Sequence, residues 1–220
     1  IIKNKRFDDS RGYFRELLIE KKINKKFCFH VISASKKNVI RGLHFQIQKP
    51  QGKFISVLKG KIIDVALDLR RNSKTFGKHF KIILSDKNCT SVYIPEGFAH
   101  GFGGLGKENI IAYSCTNYRF QKGERGLLWN DKDLKINWGI KKPILSIKDK
   151  VNLTFKEHWD NIGKQTPALK YSPTLRFLAA SGRNVKEYMT TDYGTGKYAG
   201  PGTDSGGLLG GGGSPPRTQQ

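Results

Sequence analysis

Two histidines in this chain stand in unusual company. His44 lies in Arg41-Gly42-Leu43-His44-Phe45-Gln46, which runs on through Pro50-Gln51-Gly52-Lys53 to Gly60. His100 lies in Pro95-Glu96-Gly97-Phe98-Ala99-His100-Gly101-Phe102. The other three, His30, His79 and His158, have no comparable neighbours. A histidine taken alone is more often structural than functional, but imidazole is also the side chain whose ordinary titration spans working pH. Around His44 the residues Arg41, Gln46 and Lys53 gather cations and polar groups within a strand–turn–strand unit. Residues two apart on a strand share a face, so His44 and Gln46 point the same way.

The elements that must hold these side chains are strands. In Ile63-Asp64-Val65-Ala66-Leu67-Asp68-Leu69 the larger apolar residues alternate with small or acidic ones. Phe80 to Leu84, Ser91 to Ile94 and Ile110 to Tyr118 have the same character. Turns at Lys59-Gly60-Lys61, Arg71-Asn72-Ser73, Ser85-Asp86-Lys87-Asn88 and Leu105-Gly106-Lys107 separate the runs. Short strands at this spacing predict an all-β sandwich or barrel. Two short helices are expected, over Glu16 to Asn24 and Asn152 to Ile162.

The chain of 220 residues reads as one domain with an appendage. Residues 1–163 are β-rich. Residues 164–220 hold 11 of the 25 glycines and read as a flexible linker-like tail, with a short helix conceivable over Ser172 to Ala180. The chain begins at Ile1, and some native N-terminal residues are expected to be missing. No apolar run is long enough for a membrane span, and no signal-peptide pattern opens the chain. Cys28, Cys89 and Cys115 form neither a disulfide framework nor a zinc pattern, which suits a reducing cytoplasm. The net charge of +22 calls for either an anionic partner or a lysine-rich solvated surface. No basic helix interleaved with aromatics and no zinc finger accompanies the charge, so nucleic acid is not the expected partner, whereas an anionic small molecule stays open.

The two histidine segments resemble the paired signatures of the cupin barrel. The second matches as Pro95-x-Gly97-x-x-His100. The first departs: metal-binding cupins place His-x-His and then a Glu separated from a Gly by six residues, whereas this chain has His44-x-Gln46 and Lys53 separated from Gly60 by six residues. An ammonium in place of a carboxylate ligand repels a divalent cation, and His44 with His100 is a poor donor set. The expectation is an enzyme with no metal and no other cofactor.

A longer series of blocks is more specific. It comprises Phe7-Asp8-Asp9-Ser10-Arg11-Gly12-Tyr13-Phe14-x-Glu16, Asn38 to Gln46, Gln51-Gly52-Lys53, Asp64-Val65-Ala66-x-Asp68-x-Arg70, Ser73-x-Thr75-Phe76-Gly77, Ile94 to Phe102, Trp129-Asn130-Asp131 and Ser146-x-Lys148-Asp149, in order. Over roughly residues 1–150 the chain resembles the dTDP-4-dehydrorhamnose 3,5-epimerase family. The resemblance implies a cupin-type jelly-roll barrel, a homodimer, and a dTDP-4-keto-6-deoxyhexose as substrate. It implies inversion of the carbons flanking a ketone, which needs a base, a group to stabilise the enolate and an acid on the opposite face. His44 is then the base and Asp149 the carboxylate that orients it, as in a Ser-His-Asp triad. Lys53 neutralises the enolate, and Tyr113 is the proton donor. Arg11, Glu16, Arg41, His100, Glu124 and Lys148 match binding positions, and Gln46 joins them on the face of His44.

Three positions depart from the family. Phe29 and Val31 stand where a Gln and an Asn usually precede the serine matching Ser33, and Arg119 replaces an aromatic that often follows the tyrosine matching Tyr118. These changes bear on the identity of the nucleotide sugar more than on the proton chemistry. A single-carbon epimerase of another 4-keto nucleotide sugar is the alternative, followed by a metal-dependent cupin enzyme and a non-catalytic binder.

Overall fold

Two five-stranded antiparallel sheets face each other in the computed structural model, which describes residues 1–165. In chain order the strands are β1 (Ile2–Lys3), β2 (Arg6–Asp9), β3 (Gly12–Arg15), β4 (Phe29–Lys36), β5 (Ile40–Gln46), β6 (Lys53–Lys59), β7 (Lys61–Asp68), β8 (His79–Ser85), β9 (Thr90–Ile94), β10 (Phe98–Gly104), β11 (Glu108–Cys115) and β12 (Glu124–Gly126). One sheet runs β1-β9-β6-β11-β4 and the other β12-β5-β10-β7-β8, while β2 and β3 form a separate hairpin. The all-β expectation holds, and the crossing strand order is that of a jelly roll. The expectations for residues 166–220 lie outside the described residues.

Apolar residues from both sheets fill the space between them: Ile55, Val57, Val92, Ile94 and Ile111 from one, Ile62, Ala66, Leu84 and Phe102 from the other. A second core lies on the far side of the β5-β10-β7 sheet. There Leu43, Phe45, Val65, Leu67 and Ala99 pack beneath Leu127, Leu134 and Trp138 from the chain after β12. Each fully buried Leu, Ile or Val in these cores contributes about 1.5–3 kcal/mol. β7 is therefore covered on both faces. Its large residues Ile63, Val65 and Leu67 point outward into the second core, and its acidic residue Asp64 is buried as completely as they are. Alternation in this strand marks two buried faces, not one buried and one wet.

The helices are shorter or shifted relative to expectation. α1 spans only Glu20–Ile23, because the chain before it is extended and Asn24 ends it in the left-handed region at φ 55°. α2 (Ile147–Lys150) was not anticipated; Ser146 caps it by accepting from the Asp149 backbone N–H. α3 (Phe155–Gln165) starts after a capping box in which the Glu157 N–H donates to Thr154 Oγ1 at 3.2 Å and Thr154 N–H donates to Glu157 Oε2 at 2.8 Å. The strand read over Ile110 to Tyr118 ends at Cys115.

Candidate functional site

β5 carries the central histidine, and an irregularity in β5 aims its side chains. His44 pairs with His100, but Arg41 pairs with Phe102, so three steps on β5 oppose two on β10. This extra residue is a β-bulge. It lets Arg41 and His44 line one cavity although an odd spacing on a regular strand sends side chains to opposite faces. Gly42 makes the bulge feasible. Its φ is 130°, and a Cβ there would stand 2.5 Å from the Gly101 Cα.

The cavity encloses about 520 Å³ at one end of the barrel. Of the residues expected to carry chemistry, it brings together His44, Lys53 and Asp149, and of those expected to bind substrate, Arg41, Gln46, Glu124 and Lys148. Five cations, Arg41, Lys53, Arg119, Arg125 and Lys148, face two carboxylates in its lining. The lining therefore carries a local surplus of positive charge, which suits an anionic ligand.

His44 Nε2 lies 2.6 Å from Asp149 Oδ1. Asp149 is buried at the start of α2, and its other oxygen accepts from Ser146 Oγ at 2.9 Å. Burial works to raise this carboxyl, but the bond from His44, its charge, Ser146 and Lys148 outweigh burial and hold it below the ordinary value. A carboxylate accepts only, so Nε2 carries a proton, and in the neutral imidazole the lone pair is on Nδ1. The His44 side chain is 41% exposed, open to the cavity on that side.

Lys53 opens β6 in the facing sheet and pairs in register with Cys115. Burial pushes its ammonium below the usual lysine value, while Cys115, Glu124 and Asp64 act in the other direction. It makes no hydrogen bond or ion pair among the described residues. An ammonium that is desolvated and unpartnered is poised for a developing negative charge.

Tyr113 and His100 do not line the cavity as it stands. Tyr113 packs against the inter-sheet core, edge-on to His100 with ring centroids 6.1 Å apart, and its hydroxyl lies 3.2 Å from Ser33 Oγ. Burial raises the Tyr113 phenol well above its ordinary value, so it stays protonated. His100 is tied to Asp64 Oδ2 at 2.8 Å, both side chains being buried. Gln46 does face the cavity, but its amide is spent on the backbone: Nε2 donates to Lys49 O at 2.8 Å and Oε1 accepts from Phe120 N at 2.9 Å. Glu124 is held by Arg119 and Lys148. Arg41 Nε donates to Ser35 Oγ at 3.0 Å, which fixes its approach to the cavity.

Arg11 and Glu16 lie away from this cavity. Arg11 caps the turn of the β2–β3 hairpin, 89% exposed and bonded to Asp9 at 2.6 Å. Sequence reasoning missed several participants. Arg119, read only as a lost aromatic, lines the cavity, as do Gln51 and Arg125. Asp64 lay inside a matched block with no role attached, and its pairing with His100 depends on a register that the sequence does not display. Among the described residues, no group of three or more His, Cys, Asp or Glu side chains gathers as a metal site would require.

Comparison with known proteins accords with this architecture. A sequence profile described as dTDP-4-dehydrorhamnose 3,5-epimerase matches residues 1–157. The dTDP-4-dehydrorhamnose 3,5-epimerase of Methanothermobacter thermautotrophicus is 42% identical over 158 residues, which is 68% of this chain and 85% of that protein. The crystal structure of the enzyme of that name from Elizabethkingia anophelis superposes with a TM-score of 0.66 at 41% identity, covering 70% of this chain and 90% of the other. The dTDP-6-deoxy-D-glucose-3,5-epimerase of Legionella pneumophila, solved in complex with dTDP-4-keto-L-rhamnose, gives a TM-score of 0.68 at 38% identity, covering 70% and 86%. With its two-sheet barrel shared and most of its length matched, the chain belongs to the dTDP-4-dehydrorhamnose 3,5-epimerase family, whose cupin-type jelly roll it adopts.

Proposed function

We propose that this chain converts dTDP-4-dehydro-6-deoxy-D-glucose to dTDP-4-dehydro-L-rhamnose, with His44 as the base. The observation that carries the reading is the His44–Asp149 pair, which shares one cavity with the unpartnered ammonium of Lys53. His44 Nδ1 takes the proton from a carbon α to the C4 ketone, and Asp149 stabilises the imidazolium that forms. The electron pair left on carbon moves onto the ketone oxygen, and Lys53 stabilises the resulting enolate. Tyr113 belongs to the sheet opposite His44, and as a neutral phenol it is suited to return a proton to the other face. Repeating the cycle at the second flanking carbon gives net inversion at C3 and C5 with no redox change.

The cations of the cavity suit the diphosphate of the substrate, Arg41 and Lys148 among them. His100, buried and tied to Asp64, supports Tyr113 edge-on from behind and is not itself a surface of the cavity. A homodimer accounts for Arg11 and Glu16. The β2–β3 hairpin presents exposed Phe7, Tyr13 and Phe14, and an apolar arm of this kind suits docking on a second copy, where Arg11 would approach the partner's cavity. A cytoplasmic setting, where nucleotide sugars and free thiols coexist, fits the same reading. No helix among the described residues is long and apolar enough to cross a membrane.

Incubation with dTDP-4-keto-6-deoxyglucose in D₂O tests the proposal. Deuterium at both C3 and C5 is expected. Entry at one carbon alone indicates a single-carbon epimerase, and absence of exchange by the folded protein refutes the assignment.

A further inference from the structure

The residue that marks this chain as different, Arg119, stands at the edge of the cavity. Its guanidinium meets Glu124 side-on: Nε donates to Oε1 at 2.5 Å and Nη2 donates to Oε2 at 3.1 Å. That bidentate contact uses one edge of a planar fork that has five N–H donors. Nη1 has no partner among the described residues, and the side chain is 56% exposed while lining the cavity. Glu124 is also approached by Lys148 Nζ at 3.9 Å, so two cations share one carboxylate and a positive charge remains uncompensated at the mouth. Glu124 itself lies within electrostatic reach of both His44 and Lys53. Left unneutralised it would repel an anionic ligand from the reacting groups.

We propose that Arg119 is a further substrate-binding residue of this chain: Glu124 pins one edge of its guanidinium so that the other edge clamps the diphosphate of the nucleotide sugar. Glu124 is thus a positioning residue that acts through Arg119 and not a direct ligand of the sugar. The sugar ring must lie against His44 and Lys53, which places the diphosphate, bonded at C1, further out along the cavity. Arg119 and Lys148 line the cavity with side chains more than half exposed, 56% and 59%, which suits that solvent side. The bidentate pin matters because an arginine on an exposed loop otherwise loses much side-chain entropy on binding. With one edge already held, the cost of ordering is met before the ligand arrives.

The proposal rests on the epimerase reading for the identity of the ligand, but its test does not need turnover. Binding of dTDP and of thymidine, which lacks the phosphates, is measured by calorimetry for the parent, R119M, R119K and E124Q. Hydrogen bonds to charged groups of this kind correspond to roughly a 10- to 100-fold change in affinity. R119M is expected to weaken dTDP binding by at least roughly tenfold and to leave thymidine binding unchanged. R119K is expected to recover only part of the loss, since an ammonium does not reproduce the fork. E124Q is expected to weaken dTDP binding by less than R119M and to cause no further loss in the R119M background, where removing a carboxylate that has lost its guanidinium partner relieves repulsion of the ligand; a further loss there would show that Glu124 holds the ligand itself. In turnover, R119M should raise KM and spare kcat. Equal dTDP affinity in parent and R119M, or equal losses for dTDP and thymidine, would overturn the assignment. A parent that binds dTDP but does not epimerise refutes the functional reading alone, while unchanged dTDP affinity in R119M refutes this proposal alone.

Discussion

Replacing Lys53 with methionine should make the protein more stable and nearly inactive at once. The side chain opens β6, faces the inter-sheet space, is partly buried at the cavity and carries a charge with no hydrogen-bond or ion-pair partner among the described residues. An ion withdrawn from water costs several kcal/mol unless it is paired. Here the carboxylates of Glu124 and Asp64 offset part of that cost from a distance. Methionine has a similar length, fills the same space and removes the charge. The expected net gain is about 1–2 kcal/mol. For a folded unit of this size each kcal/mol moves Tm by roughly 2–4 °C, so K53M should melt several degrees higher by calorimetry. The gain depends on pH in a defined sense. The lysine has a folded-state value below its unfolded one, so its penalty is full below the folded value and disappears as pH rises through the unfolded value near 10.4. The Tm difference between K53M and parent should therefore shrink in alkaline buffer. Turnover should fall by about 10²–10³, the usual consequence of removing one group that stabilises a developing oxyanion. A lower Tm for K53M would refute the claim that Lys53 is a burial liability. Parent-like kcat would refute its role on the enolate.

Three further outcomes follow from the same geometry. Asp149→Asn replaces an acceptor held at 2.6 Å from His44 by an amide, and loss of a charge-assisted bond of about 1.5–3 kcal/mol should cut kcat by roughly 10- to 150-fold with little change in KM; steady-state kinetics showing only a KM effect would contradict the orienting role. Gly42→Ala should destabilise by about 2–3 kcal/mol in urea titration, because the added Cβ meets the Gly101 backbone at a φ that disfavours side chains, and an unchanged midpoint would show the bulge to be dispensable. Asp64→Ala should cost about 3 kcal/mol by orphaning the buried His100 Nε2, whereas a loss below about 0.5 kcal/mol would mean that the pair contributes little to the fold.

The sequence made the essential groups legible because short-range chemistry marks them. His44 and Lys53 stand at a spacing that elsewhere builds a metal site, whereas Asp149 was reached only through the family resemblance, the helix that Ser146 caps having gone unread. The structure brings all of these into one cavity. What escaped reading depends on long-range packing. The alternation in β7 was visible, but nothing local announces that the chain after β12 returns to cover its outer face with Leu127, Leu134 and Trp138. Gln46 looked available because its parity with His44 was visible, while its ties to Lys49 and Phe120 depend on where two loops meet. The bulge at Gly42 was hidden for the same reason: register is a property of two strands. Arg119 was noticed only as a missing ring, since its partner Glu124 is brought near by the turn between them.

The central claim is that the imidazole of His44 carries the proton. It is tested most directly by following deuterium entry from D₂O into dTDP-4-keto-6-deoxyglucose with the parent and with His44→Asn, which preserves polarity and much of the volume. Exchange at C3 and C5 by the parent, and none above background with a folded H44N protein, is the predicted result. Exchange by H44N at the parent's rate would contradict the account.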